Sequence, residues 1–174
     1  TMLREAGSLF QLLRSAQDGT FAGATPGQNA TLSVSLELAK RHYEQTMLNA
    51  EALESPAASK RFLIAALRDK PYEVFCCLYL DNRHRVIAFE ELFQGDIDGA
   101  SVHPRVVVHH ALNRRAAAVI FAHQHPSGIA EPSQADELIT SRLKDALALL
   151  SIRVLDHFVI GGSTCISFAE RGLL

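Results

Sequence analysis

Ala116-Ala-Ala-Val-Ile-Phe-Ala122, followed at once by His123-Gln-His-Pro-Ser-Gly-Ile-Ala-Glu-Pro-Ser-Gln-Ala-Asp136, is the stretch on which the fold turns. An unbroken apolar run of this length fits a strand buried on both faces. The segment after it carries Pro126, Gly128 and Pro132 and reads as a loop. Ser133 to Leu150 then has the periodicity of an amphipathic helix. Sheets built from such units place ligand sites just beyond the carboxyl ends of their strands.

Upstream, Val74 to Leu80 is a continuous run of β-formers, Asp81-Asn-Arg-His is a turn, and Arg85 to Leu92 is a return strand, giving a hairpin. Pro104 to Arg114 reads as a short helix with proline at its first position. Downstream, Ile152 to Ile160 and Thr164 to Phe168 flank Gly161-Gly162 as a second hairpin. The resulting order is β-β-α-β-α-β-β, an α/β sandwich around one sheet. Before it come a helix over about Ser59 to Leu67 and a linker at Leu53-Glu-Ser-Pro-Ala. Residues 1–50 read as helix, loop, helix, with the loop at DGTFAGATPGQN (residues 18–29).

Composition bounds the function classes. The chain has 174 residues, 48% apolar and 21% charged, which suits one main domain with its own core plus a small appendage. A formal charge of −2 gives no broad cationic field toward nucleic acid. The three cysteines, Cys76, Cys77 and Cys165, are an odd, sparse set with no CxxC pair, against both a disulfide framework and a thiolate zinc site. The start is amphipathic and interrupted by charge, and no apolar run approaches the roughly 18 residues of a membrane helix. A cytoplasmic protein without membrane contact is expected.

His123 and His125 are two residues apart, so in extended chain their imidazoles share one side and can meet at one ion. Asp136 follows on the first turn of the next helix, and the loop lets that turn fold back over the histidines. Two neutral nitrogens and one carboxylate suit Zn²⁺ with a fourth position left for water. Metal-assisted hydrolysis also needs a base and an oxyanion donor. Ser133, one helical turn before Asp136, is a candidate donor; Glu73, Glu90 and Glu91 are candidate bases that spacing does not separate.

A Glu, then HxHP, then SxxD with ten residues between the second His and the Asp, resembles the JAMM (MPN-plus) metalloprotease motif. HQHPSG, PSQAD, VLDHFVIGG and AERGLL, with EALESPAAS and GDIDGASVHPR, are similar to the bacterial RadC family over about Gly7 to Leu174. The resemblance implies an α/β, JAMM-like (cytidine deaminase-like) mixed sheet flanked by helices, after a small helical amino-terminal segment. It implies a boundary near residues 52 and 53, with residues 1–52 like a degenerate helix-hairpin-helix region. It assigns metal ligation to His123, His125 and Asp136, the base to Glu73 and the oxyanion donor to Ser133. It further implies hydrolysis of an amide or isopeptide bond in a peptide or protein. RadC proteins usually carry Asn where this chain has Gln124, whose side chain is expected to point away from the metal. FAGATPG (residues 21–27) lacks the KGIGP-type hairpin core that binds phosphates through backbone N–H groups. A DNA-associated module of the kind the family's repair association suggests is therefore the alternative, opposed by this loss and by the net charge. A metal-bound scaffold without catalysis is a third. The chain is expected to be a fragment or truncated homologue.

Other features have plainer readings. Ser133-x-x-Asp136 is also a helix capping pattern. Glu90 and Glu91 read as surface charges, His103, His109 and His110 as surface residues, and Arg114 and Arg115 as a pair complementing a helix dipole. Ser127 and Gly128 read as loop geometry, Cys76 and Cys77 as core packing on opposite faces, and His157 as a structural or supporting residue rather than a fourth ligand.

Overall fold

The computed structural model describes residue 15 and residues 24–49, 56–67, 70, 72–95 and 102–174. Contacts divide the chain into two units, Thr1–Thr46 and Met47–Leu174. The first predicted helix lies, but for Ser15, outside the described residues. Helix α1 (Pro26–Asn49) begins inside the segment expected to be loop. The reason is a local cap. Gln28 N donates to Thr25 Oγ1 at 3.3 Å and Thr25 N donates to Gln28 Oε1 at 2.8 Å. That reciprocal pair, with proline at the first helical position, starts a helix.

The second unit is a mixed five-stranded sheet with helices on both faces. In chain order it contains α2 (Pro56–Leu67), β1 (Val74–Leu80), β2 (Val86–Gln94), α3 (Pro104–Asn113), β3 (Ala118–Gln124), α4 (Gln134–Ala148), β4 (Arg153–Gly161), β5 (Thr164–Ser167) and α5 (Phe168–Arg171). The strand order is β2-β1-β3-β4-β5. Only β3 and β4, joined through α4, run parallel; the other neighbours are antiparallel.

Alternation along the strands sorts the core. Cys76, Leu78, Ala118, Ile120, Ala122 and Phe158 face α2, where Phe62, Leu63 and Leu67 cover them. Phe75, Cys77, Val119 and Phe121 face the other side, covered by Val107 and Ala111 of α3 and Leu143 and Leu147 of α4. Each of these large side chains contributes roughly 1.5–3 kcal/mol on burial. Cys76 and Cys77 do lie on opposite faces as core residues.

β3 differs from its expected span by two residues, running over 118–124 rather than 116–122. Pairing decides this: His123 is opposite Phe75 of β1 and Val159 of β4, and Gln124 is opposite Ile160, so the strand continues through both polar residues. His123 is thus inside the sheet, not just after it.

Candidate metal centre

His123 shares the face of Val119 and Phe121 and is wholly buried. The chain leaves the sheet at His125, whose backbone N–H donates to Ile160 O at 2.7 Å. The His125 ring turns back so that Nδ1 is 2.8 Å from Ile129 O. A carbonyl only accepts, so Nδ1 carries the proton and Nε2 of the neutral ring presents its lone pair. The loop that supplies this carbonyl rests on Gly161. A Cβ there would lie 2.4 Å from Ala130 N, 2.6 Å from Gly128 O and 2.6 Å from Ile129 C. Only glycine admits that approach.

Asp136 is the third residue of α4. Ser133 Oγ accepts from Asp136 N at 3.1 Å, while Ser133 N and Oγ both donate to Asp136 Oδ2 at 2.7 Å. The capping reading is therefore correct, and it aims the same carboxylate at the histidines. His123 Nε2 is 3.0 Å from His125 Nε2 and 3.2 Å from Asp136 Oδ1, and His125 Nε2 is 3.6 Å from Asp136 Oδ2. Lone pairs and a carboxylate this close repel one another unless a proton or a cation lies between them. A tetrahedral zinc with bonds of about 2.0–2.1 Å sets its ligand atoms roughly 3.3 Å apart. The three separations bracket that edge, so the donor set fits the ion.

Glu73 precedes β1. Continuing the Phe75–His123 register by two residues sets it opposite His125 on the same face. Its ligand atom and those of His123 and His125 all lie within 4.8 Å of one another, a group able to hold a metal ion. The chain leading to Glu73 is clamped. Gly95 N donates to Glu73 O at 2.9 Å. Gln124, pointing to the opposite face as expected, donates its amide to Lys70 O at 3.0 Å and to Tyr72 O.

Electrostatics follow from this crowding. Burial opposes ionisation of Asp136, yet the adjoining His123 and His125 rings and the Ser133 N–H favour the charged carboxylate and hold it far below the usual range. The Asp136 carboxylate favours the protonated His125 ring and so raises that imidazole, against the effect of its burial. His157, on β4, behaves oppositely: burial pushes it well below the ordinary histidine value. It is fully buried, with ring centroids of Phe168, Phe75 and Phe121 at 4.8, 5.5 and 6.0 Å. Its Nε2 is 2.8 Å from His123 Nδ1 and its Nδ1 is 2.6 Å from Thr140 Oγ1.

The remaining candidates are engaged elsewhere. Glu90, expected as a surface charge, is largely buried, with His110 Nδ1 at 2.8 Å and Arg114 Nε donating at 2.7 Å. Arg114 therefore grips a strand carboxylate rather than serving only its helix end, and His110 is a partner rather than a free surface residue. Glu91 pairs with Lys70 Nζ at 2.7 Å. His109 bonds Asn113 at 2.9 Å and His103 opens α3. Thr140, the Ile129 carbonyl and the Gly161 seat were not read from the sequence. The only signal there was Gly161 itself, taken as a turn residue.

Residues 53–173 match the family profile of the RadC-like JAB domain. The chain belongs to that family. It is 62% identical over 152 residues to a UPF0758 protein of Thioalkalivibrio sulfidiphilus, covering 87% of this chain and 68% of that one. Another UPF0758 protein, from Nitrosococcus oceani, is 62% identical over 143 residues, covering 82% and 64%. A third, from Stutzerimonas stutzeri, is 53% identical over 173 residues, covering 98% and 77%. The chain thus spans about two thirds to three quarters of the length of these relatives. The mixed sheet flanked by helices is the architecture expected of a JAB domain. Among the described residues, no helix is long and apolar enough to cross a membrane.

Proposed function

We propose that this centre is that of a zinc-dependent hydrolase acting on an amide or isopeptide bond of a peptide or protein. His123, His125 and Asp136 are the ligands, Glu73 the general base and Ser133 the oxyanion donor. One observation carries the reading: His123 Nε2, His125 Nε2 and the Asp136 carboxylate converge while Nδ1 of each imidazole is already engaged. When bound, zinc supplies a Lewis acid and lowers the pKa of water to about 7.

The Glu73 carboxylate takes a proton from the attacking water and passes it to the leaving nitrogen. Its clamped main chain and its position opposite His125 keep it within reach. Glu90 and Glu91 are held by Arg114, His110 and Lys70, whereas the Glu73 carboxylate lies with His123 and His125, and that proximity supports Glu73 for this task. Ser133 turns its hydroxyl from Asp136 Oδ2 to the developing oxyanion, and Asp136 Oδ2 keeps its bond from Ser133 N.

Metal analysis and turnover separate these roles. Asp136→Ala loses stoichiometric zinc, whereas Glu73→Gln keeps zinc and loses turnover on a peptide or isopeptide library. Full zinc occupancy in Asp136→Ala removes Asp136 from the ligand set. Loss of zinc in Glu73→Gln makes Glu73 a ligand instead of the base.

A further inference from the structure

Three hydrogen bonds run in series from His123 to the helix that carries Asp136. His123 Nδ1 meets His157 Nε2 at 2.8 Å, His157 Nδ1 meets Thr140 Oγ1 at 2.6 Å, and Thr140 Oγ1 meets Asp136 O at 2.5 Å. Their direction is fixed from the far end. A backbone carbonyl can only accept, so the Thr140 hydroxyl donates to Asp136 O. That leaves Thr140 Oγ1 as the acceptor for His157, whose Nδ1 must carry a proton. His157 is fully buried among Phe75, Phe121 and Phe168, so the neutral imidazole, with one proton, is the form it can hold. Its Nε2 is then a bare acceptor, and His123 Nδ1 must donate to it. The nitrogen of His123 left facing His125 and Asp136 is Nε2.

We propose that His157 and Thr140 are positioning residues that dictate which nitrogen of His123 faces the centre and tie that choice to the first turn of α4. Neither touches the ion or the substrate. The inference rests on the ligand assignment above, but its first test does not. The two anchors lie on different elements: His157 on β4, paired opposite Phe121, and Thr140 on α4, one turn beyond Asp136. The series therefore also braces the helix-borne carboxylate against the sheet-borne imidazole. Supporting partners of this kind typically hold 10–100-fold of metal affinity.

The test reads imidazole protonation by nitrogen–carbon correlation NMR on metal-free, ¹⁵N-labelled protein. Protons on Nδ1 of both His123 and His157, with Nε2 of His157 bare, are the expected result. A proton on Nε2 of His157 overturns the proposal and needs no variant. Thr140→Val, which keeps the shape and removes the hydroxyl, then releases the His157 tautomer and weakens zinc binding about 10-fold or more in a chelator competition. Thr140→Ser restores both. A Thr140→Val protein with the wild-type tautomer and zinc affinity also overturns it. If the chain binds no zinc at all, the ligand assignment fails while the NMR result still judges the hydrogen-bond series.

Discussion

Replacing Gly161 by alanine sets a methyl carbon 2.4–2.6 Å from three backbone atoms of residues 128–130. No side chain can rotate aside, because every contacted atom is main chain. Ordinary van der Waals contact begins near 3.4 Å. The 128–130 loop must therefore retreat by roughly 1 Å, or β4 must yield by as much. Overpacking of this kind costs about 1–3 kcal/mol. The same loop supplies Ile129 O, 2.8 Å from His125 Nδ1. A retreat of about 1 Å takes that bond beyond useful length, freeing the ring to rotate or change tautomer. Gly161→Ala should then lower the thermal midpoint by several degrees and weaken zinc binding roughly 10–100-fold in a chelator competition. Wild-type midpoint and wild-type affinity together would refute the argument that the glycine is there for a close approach. A lowered midpoint with unchanged affinity would refute the link from Gly161 to His125.

Other expectations are more local. Ser133→Ala removes a helix cap worth about 1 kcal/mol, read by thermal melting, and an oxyanion donor worth about 10²–10³ in kcat. Loss of stability without loss of turnover would restrict Ser133 to capping. Chelation of a zinc-loaded sample should lower its thermal midpoint, since a ligand bound only to the folded state stabilises it by mass action. An unchanged midpoint would speak against zinc held by the folded chain. Burial opposes ionisation of Glu90, but hydrogen bonds from His110 and Arg114 hold its carboxyl below the ordinary value. A depressed folded pKa adds stability that is complete above the unfolded value, about 4.3, and fades as pH falls through the folded one. The stability gap between wild type and Glu90→Gln, at most about 1 kcal/mol for a half-exposed network, should therefore be present at pH 7 and shrink below about pH 4. A gap independent of pH would remove the charge from its cause.

Local signals in the chain carried the alternation of strands and helices and the loop between His125 and Ser133. The run through Ala122 marks a strand by composition, and Ser133 marks the start of α4 by its cap. What the sequence did not contain was pairing. The end of β3 is set by Phe75 and Val159, residues far away in the chain, so it was read two residues early. Glu90 passed for a surface charge because its partners, His110 on α3 and Arg114 at the end of that helix, lie 20 and 24 residues away in the chain. The part played by Thr140 required the register that brings β4 beside β3. The start of the helix at Pro26 was placed too late for a different reason. Pro, Gly and Asn suggest a loop when counted, whereas Thr25 and Gln28 make them a first turn through two specific bonds.

The three proposed ligands fall within 14 consecutive residues, and the proposed base stands 50 residues before the first of them. Joining the ligands closes a short loop, with β4 orienting the two rings, while bringing Glu73 near needs β1 to find β3. The proposed ligands and the proposed base are thus brought together by contacts of different range, the one set by a turn between neighbouring elements and the other by strand pairing across the sheet.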